Sequence, residues 1–171
     1  MSENIENGSH LPPIGTRETH TRTITEADII EFADVSGDHN PVHLDEEYAA
    51  QSIFGGRIAH GLLAASMISA ILGMKLPGPG TVYLGQTLKF LAPIRIGDTI
   101  EVSVEVITVR KDKHILTLRT DCVNQDGTLV LTGEATVKYS VPHPHKGTRG
   151  NGAHATHPHS THAKVKGANL H

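Results

Sequence analysis

Residues 62–72 read LLAASMISAIL. None of them is charged, and Ser66 and Ser69 are the only polar side chains in the run. The stretch predicts a helix from about Leu62 to Gly73, apolar nearly all round, with small residues spread along it. A helix of that kind belongs inside a structure rather than on its surface. The rest of the chain must therefore supply a cover.

The cover lies downstream. TVYLGQTLKFLAP (81–93), TIEVSVEVITVRKD (99–112), HILTLRTDCVNQDG (114–127) and TLVLTGEATVKYS (128–140) are rich in Val, Ile, Leu and Thr. TIEVSVEV alternates apolar and polar residues, the period of a half-buried strand. PIRIGD, RKDK and NQDG separate these runs as turn-like breaks. Four consecutive antiparallel strands follow, and TRTIT before the first helix offers a fifth. Strands do not alternate with helices, so no parallel sheet is expected. The predicted class is α+β: a curved antiparallel sheet wrapped around one apolar helix, the hot-dog arrangement.

Upstream, TEAD (25–28) is a capping box, in which Thr25 accepts a backbone N–H and Asp28 reaches back. Ile29, Ile30, Phe32 and Ala33 give that helix an apolar face, and Gly37 is placed to stop it. A short helix is expected over 45–51. Residues 1–13 read as a flexible N-terminus, 14–140 as one domain, and 141–171 as a disordered basic tail. The tail holds 7 of the 13 histidines and too little apolar surface to fold alone.

Composition excludes several classes. Residues 1–140 carry 11 Lys/Arg against 18 Asp/Glu, a balance of −7, whereas the tail carries 4 Lys/Arg and no acid. An acidic body repels nucleic acid and anionic membrane. Three Phe, three Tyr and no Trp leave little for base stacking. Neither a secretory signal nor a long apolar span is visible. The single cysteine, Cys122, forbids an intrachain disulfide and fits a reducing, cytoplasmic setting.

Chemistry concentrates in SGDHNPVH (36–43). Pro41 pushes Asn40 towards an extended conformation. Asp38 then stands near a helix end, and His43 lies just past a bend. Asp and Asn after a helix often do no more than satisfy loose backbone groups. A second stretch, GGRIAHGLL (55–63), adds weight, because it delivers His60-Gly61 to the start of the apolar helix. A backbone N–H at a helix N-terminus stabilises an oxyanion by hydrogen bond and dipole. An acid, a base and an oxyanion donor are the working parts for proton transfer next to a carbonyl. Alone, Gly61 reads equally as helix packing, and His60 as a structural hydrogen-bonder.

FADVSGDHNPVHLDEEYA (32–49) resembles the signature of the hydratase 2 or MaoC-like family. Phe32, Val35, Ser36, Gly37, Asp38, Asn40, Pro41, Val42, His43 and Ala49 match it position by position. IAHGLLAASMISAILGMKLPGPGTVYLGQTLKF and TGEATVKY extend the likeness, over about residues 14–140, to the small single-domain (R)-specific enoyl-CoA hydratases that feed polyhydroxyalkanoate synthesis. The resemblance implies a hot-dog homodimer that adds water reversibly and syn to a trans-2-enoyl-CoA, giving the (R)-3-hydroxyacyl-CoA. It assigns activation of the water to Asp38 and His43, and the oxyanion N–H to Gly61. Asn40 is expected to hold the turn in shape, with His60 beside it. Ser66 and Ser69 are expected near the acyl chain, and Ser69, Leu72 and Val137 at the floor of its pocket. Each of these four reads equally well as ordinary core. Lys89, Arg95 and Arg57 are cations within reach of coenzyme A phosphates, although a lone surface cation is usually just solvated. No metal and no redox cofactor is implied.

Competing readings share the fold. A dehydratase of acyl-carrier-protein thioesters would use the same site in reverse. A non-catalytic acyl-CoA-binding domain would not need Asp38, His43 and Gly61 together. Thioesterases of this shape carry an acid on the central helix, and LLAASMISAIL has none. The tail histidines offer imidazole ligands for Ni, Zn or Cu, but without fixed spacing they stay outside the catalytic account.

Overall fold

Thr25 starts the first helix as its sequence predicts. In the computed structural model, which describes residues 11–140, its hydroxyl accepts the Asp28 N–H at 3.2 Å. Asp28 Oδ2 in turn accepts the Thr25 N–H at 2.9 Å. The expectations for residues 1–10 and for the tail 141–171 lie outside the described residues. Helix α1 (Glu26–Ser36) ends at Gly37, whose φ of 78° is the left-handed stop that glycine adopts without strain. A one-turn helix, α2 (Pro41–Leu44), follows, and α3 (Glu46–Ala50) comes next. α2 was not anticipated. Asn40 makes it: its backbone is extended, and its side chain caps the turn by accepting the Val42 N–H at 3.2 Å.

Helix α4 (Gly61–Met74) lies across one antiparallel sheet. The strands are β1 (Arg17–Thr23), β2 (Thr81–Phe90), β3 (Thr99–Arg110), β4 (Ile115–Val123) and β5 (Leu129–Tyr139). Alternation sets the register. Ile100, Val102, Val104 and Val106 of β3 are fully buried. They pack with Ile68, Ile71 and Leu72 of α4 and with Leu116, Leu118, Ala135 and Val137 of the neighbouring strands. Each such aliphatic side chain contributes about 1.5–3 kcal/mol on burial. This is the hot-dog arrangement.

Two features differ from the sequence reading. The strand order is β1-β3-β4-β5-β2, so β2 pairs β5 at the far edge and not β3. PIRIGD is therefore a crossover between strands that are not neighbours, although its Pro, Gly and Asp resemble those of a turn. Such nonlocal pairing leaves no local mark. In addition, α4 is buried on one face only. Ala64, Met67, Ile68, Ile71 and Leu72 are covered, whereas Leu62 is 56% and Met74 74% exposed. One sheet covers one side of a helix, and among the described residues Leu62 and Met74 on the other side stay largely exposed.

Candidate active site

The ends of α1 and α4 meet around a cavity of about 590 Å³. Phe32, Ser36 and Asp38 come from the α1 side, His43 from α2, and His60, Gly61 and Leu62 from the start of α4. Phe54, Ile58 and the segment 90–94 complete the wall. Most of these are apolar, so a ligand here is largely removed from water.

Two short helices and a loop set the polar groups. Asp38 follows the Gly37 stop, with its N–H held by Ser36 Oγ at 3.2 Å. Its Oδ1 accepts the Asn40 N–H at 3.2 Å, which leaves Oδ2 facing His43. The carboxylate is about half exposed, whereas the His43 ring is nearly buried. His43 Nδ1 lies 2.9 Å from the Ile58 carbonyl oxygen. A carbonyl only accepts, so Nδ1 carries the proton and Nε2 of the neutral ring is a bare lone pair. That Nε2 stands 4.0 Å from Asp38 Oδ2. Both atoms are acceptors, so they do not bond each other directly. The gap is wide enough for one water about 2.8 Å from each atom, which would donate one hydrogen to either side.

His60 links the two halves of the site. Its Nε2–H donates to the Asp38 carbonyl at 2.9 Å. Its ring lies against His43, centroid to centroid 3.8 Å, and against Phe32 at 5.1 Å. Its Nδ1 is buried with no hydrogen-bond partner among the described residues. Being N-cap, His60 makes no side-chain bond to the helix it begins. The Gly61 N–H, first of α4, has no acceptor within the helix. A Cβ on Gly61 would lie 2.5 Å from the Phe90 ring, which ties the glycine to the close approach of that ring. Asp38, His43 and His60 also bring one potential ligand atom each to within 4.8 Å of the others, near enough for a metal to be considered.

A family profile described as "MaoC like domain" matches residues 11–126. The chain belongs to the MaoC-like family. It is 49% identical over 125 residues to a 3-hydroxybutyryl-CoA dehydratase of Methylorubrum extorquens, covering 73% of this chain and 79% of that protein. It is also 49% identical over 123 residues to an (R)-specific enoyl-CoA hydratase of Rhodospirillum rubrum, covering 72% and 85%. Among solved structures, the (R)-hydratase from A. caviae involved in PHA biosynthesis superimposes with a TM-score of 0.73. Identity there is 43%, covering 75% of this chain and 98% of that one.

In this MaoC-like chain the structure brings Asp38, His43, His60 and Gly61 together, with Asn40 supporting them. The residues expected at the acyl pocket are not in this cavity. Leu72 and Val137 are fully buried in the core. Ser69 is exposed on α4, and the exposed Ser66 lines a separate cavity with Phe32, Leu63 and Met67. Helical spacing gave the place of Ser66, Ser69 and Leu72 on α4 but not which side of it faces the site. Two expected phosphate contacts are also turned inwards. Arg95 donates to the Phe54 carbonyl at 2.5 Å, and Arg57 to the His43 carbonyl at 2.8 Å. Lys89 is exposed on β2. Sequence reasoning missed the walls at Phe54, Phe90 and 91–94, and the Ile58 carbonyl. A backbone acceptor has no signature in residue type.

Proposed function

We propose that this chain is an (R)-specific enoyl-CoA hydratase, a hydro-lyase that adds water reversibly and syn to a trans-2-enoyl-CoA. One observation carries the reading: two acceptors, Asp38 Oδ2 and His43 Nε2, stand 4.0 Å apart in a cavity that also holds the first residue of a helix, Gly61. Water is a poor nucleophile towards an isolated alkene. In an enoyl thioester, attack at C3 moves charge onto the thioester oxygen. The Gly61 N–H stabilises that charge, an effect of about 3–4 kcal/mol for one such donor. Asp38 and His43 hold both hydrogens of the water, so its lone pair turns towards C3. One proton leaves through this pair and reaches C2, and the other stays on the new hydroxyl. One water delivered from one side gives syn addition, and the reverse path is dehydration.

The reading needs no metal or redox cofactor. An ion on Asp38 and His43 would take the lone pairs that orient the water, so chelator treatment should leave turnover unchanged. The same reading makes the protein a cytoplasmic homodimer. Support comes from Cys122, the sole cysteine, which is buried and unpaired, and from an uncovered apolar surface. Among the described residues β2 has a neighbour on one side only, with Val82, Leu84 and Phe90 exposed, and α4 exposes Leu62 and Met74. Among the described residues, no helix is long and apolar enough to cross a membrane.

The test is loss of the enoyl-thioester absorbance with crotonyl-CoA, followed by chiral analysis of the product. The expected product is (R)-3-hydroxybutyryl-CoA. A folded protein that turns over neither crotonyl-CoA nor octenoyl-CoA would overturn the reading.

A further inference from the structure

We infer that Arg57 is a positioning residue that fixes His43 as an acceptor for the attacking water, and not a contact for the coenzyme; the inference rests on the hydratase reading. His43 sits on α2, a helix of four residues. A single turn does not hold itself, since helix nucleation is unfavourable. Its last carbonyls also lack intrahelical partners. Residues 57 and 58 supply what is missing, from both ends of His43. Arg57 Nε donates to the His43 carbonyl at 2.8 Å, and the Ile58 carbonyl accepts from the His43 ring at 2.9 Å. The Ile58 N–H reaches the Val42 carbonyl at 3.3 Å. The first contact sets where the residue sits, and the second sets which ring nitrogen is bare.

The guanidinium is itself anchored. Its Nη1 donates to Glu26 Oε1 at 2.7 Å, at the first residue of α1. The side chain is only 12% exposed. Arg57 is absent from the cavity wall, so its charge is turned towards the backbone of α2 and the start of α1. From behind, Arg95 Nη2 holds the Phe54 carbonyl at 2.5 Å, and Nη1 reaches the Arg57 carbonyl at 3.4 Å. Lysine in place of Arg57 keeps the charge but loses the planar fork that serves two acceptors at once.

The experiment compares wild type with Arg57→Lys on crotonyl-CoA and on crotonyl-pantetheine, which lacks the nucleotide phosphates. Melting curves check folding. If Arg57 positions His43, kcat falls about 10- to 100-fold on both substrates, and KM stays within about twofold. Nitrogen-15 shifts of the His43 ring, assigned by difference against His43→Gln, should move from the Nδ1–H tautomer to a mixture. A rise in KM confined to crotonyl-CoA with kcat kept would overturn the inference in favour of a phosphate contact. Unchanged kinetics with an unchanged tautomer would overturn it outright. Glu26→Gln keeps Arg57 but weakens its anchor. It should lower kcat in the same pattern to a smaller extent, and it carries the test should Arg57→Lys not fold. If wild type is inactive on both thioesters, the hydratase reading fails; the tautomer shift then decides the Arg57 inference by itself.

Discussion

The two long helices begin in opposite ways. At α1 the cap is closed: Thr25 and Asp28 bond each other reciprocally, and the Arg22 guanidinium closes on the Asp28 carboxylate. At α4 the N-cap is His60, which gives the helix no side-chain bond and turns its ring to the Asp38 carbonyl. The Leu63 N–H of α4 turns back to the His60 carbonyl at 3.1 Å, while Gly61, the first residue of the helix, lies at the cavity wall. Both ends carry the positive pole of a helix dipole. At α1 an acid of the chain faces that pole, whereas the α4 end shares a cavity with Asp38 and His43. On the proposed hydratase reading, the capped end is scaffold and the uncapped end beside two proton acceptors is the reaction site.

The contrast breaks most sharply at the acceptors facing α4. Asp38→Asn replaces a carboxylate with an amide of the same shape, and His43→Gln removes the imidazole lone pair. Each should lower kcat on crotonyl-CoA by about 10²- to 10⁴-fold, in steady-state assays with folding checked by melting. Next comes the donor itself. Gly61→Pro deletes the N–H at the first helical position, where proline is tolerated, and His60 already has the extended backbone (φ −61°, ψ 129°) that precedes proline. Gly61→Ala keeps the N–H and brings the same Cβ against Phe90. The proline variant should fall about 10²- to 10³-fold below the alanine variant in kcat; equal rates would remove Gly61 from the oxyanion role.

The scaffold end should answer to different probes. Thr25→Ala should cost about 1 kcal/mol in denaturant unfolding and leave kcat alone. The Thr25 backbone N–H bond, together with its hydroxyl and Arg22, holds the Asp28 carboxyl below its usual value of 3.8. Such a group adds stability that is present above pH 3.8 and is lost as pH falls through the lower folded value. Stability measured below about pH 4 should therefore fall less steeply in Asp28→Asn than in wild type; equal slopes would show that the cap contributes nothing to acid stability.

These differences explain what was legible in the sequence. α1 could be read from TEAD and Gly37, because caps act through neighbours three or four residues away. β3 could be read from TIEVSVEV, because alternation follows the pleat. Asp38, His43 and Gly61 stood out as chemistry looking for a common centre. Everything that joins distant residues was hidden. β2 crosses to the far side of β5, His60 reaches back to the Asp38 carbonyl, and the Ile58 carbonyl selects the His43 tautomer. Arg57 was legible as a cation but not as a clamp, since nothing in GGRIAHG reveals that its acceptor is the backbone of His43. Ser66, Ser69, Leu72 and Val137 show the same limit. Their elements were read correctly, whereas their distance from the cavity depends on packing.

The central claim is that one water, held between Asp38 and His43, adds across one face of the double bond. Hydration of crotonyl-CoA in deuterium oxide, followed by proton NMR of the 3-hydroxybutyryl product, tests it directly. The account predicts one deuteron at C2, on the same side as the new hydroxyl at C3. Deuterium on the opposite side, or spread over both positions, would contradict it.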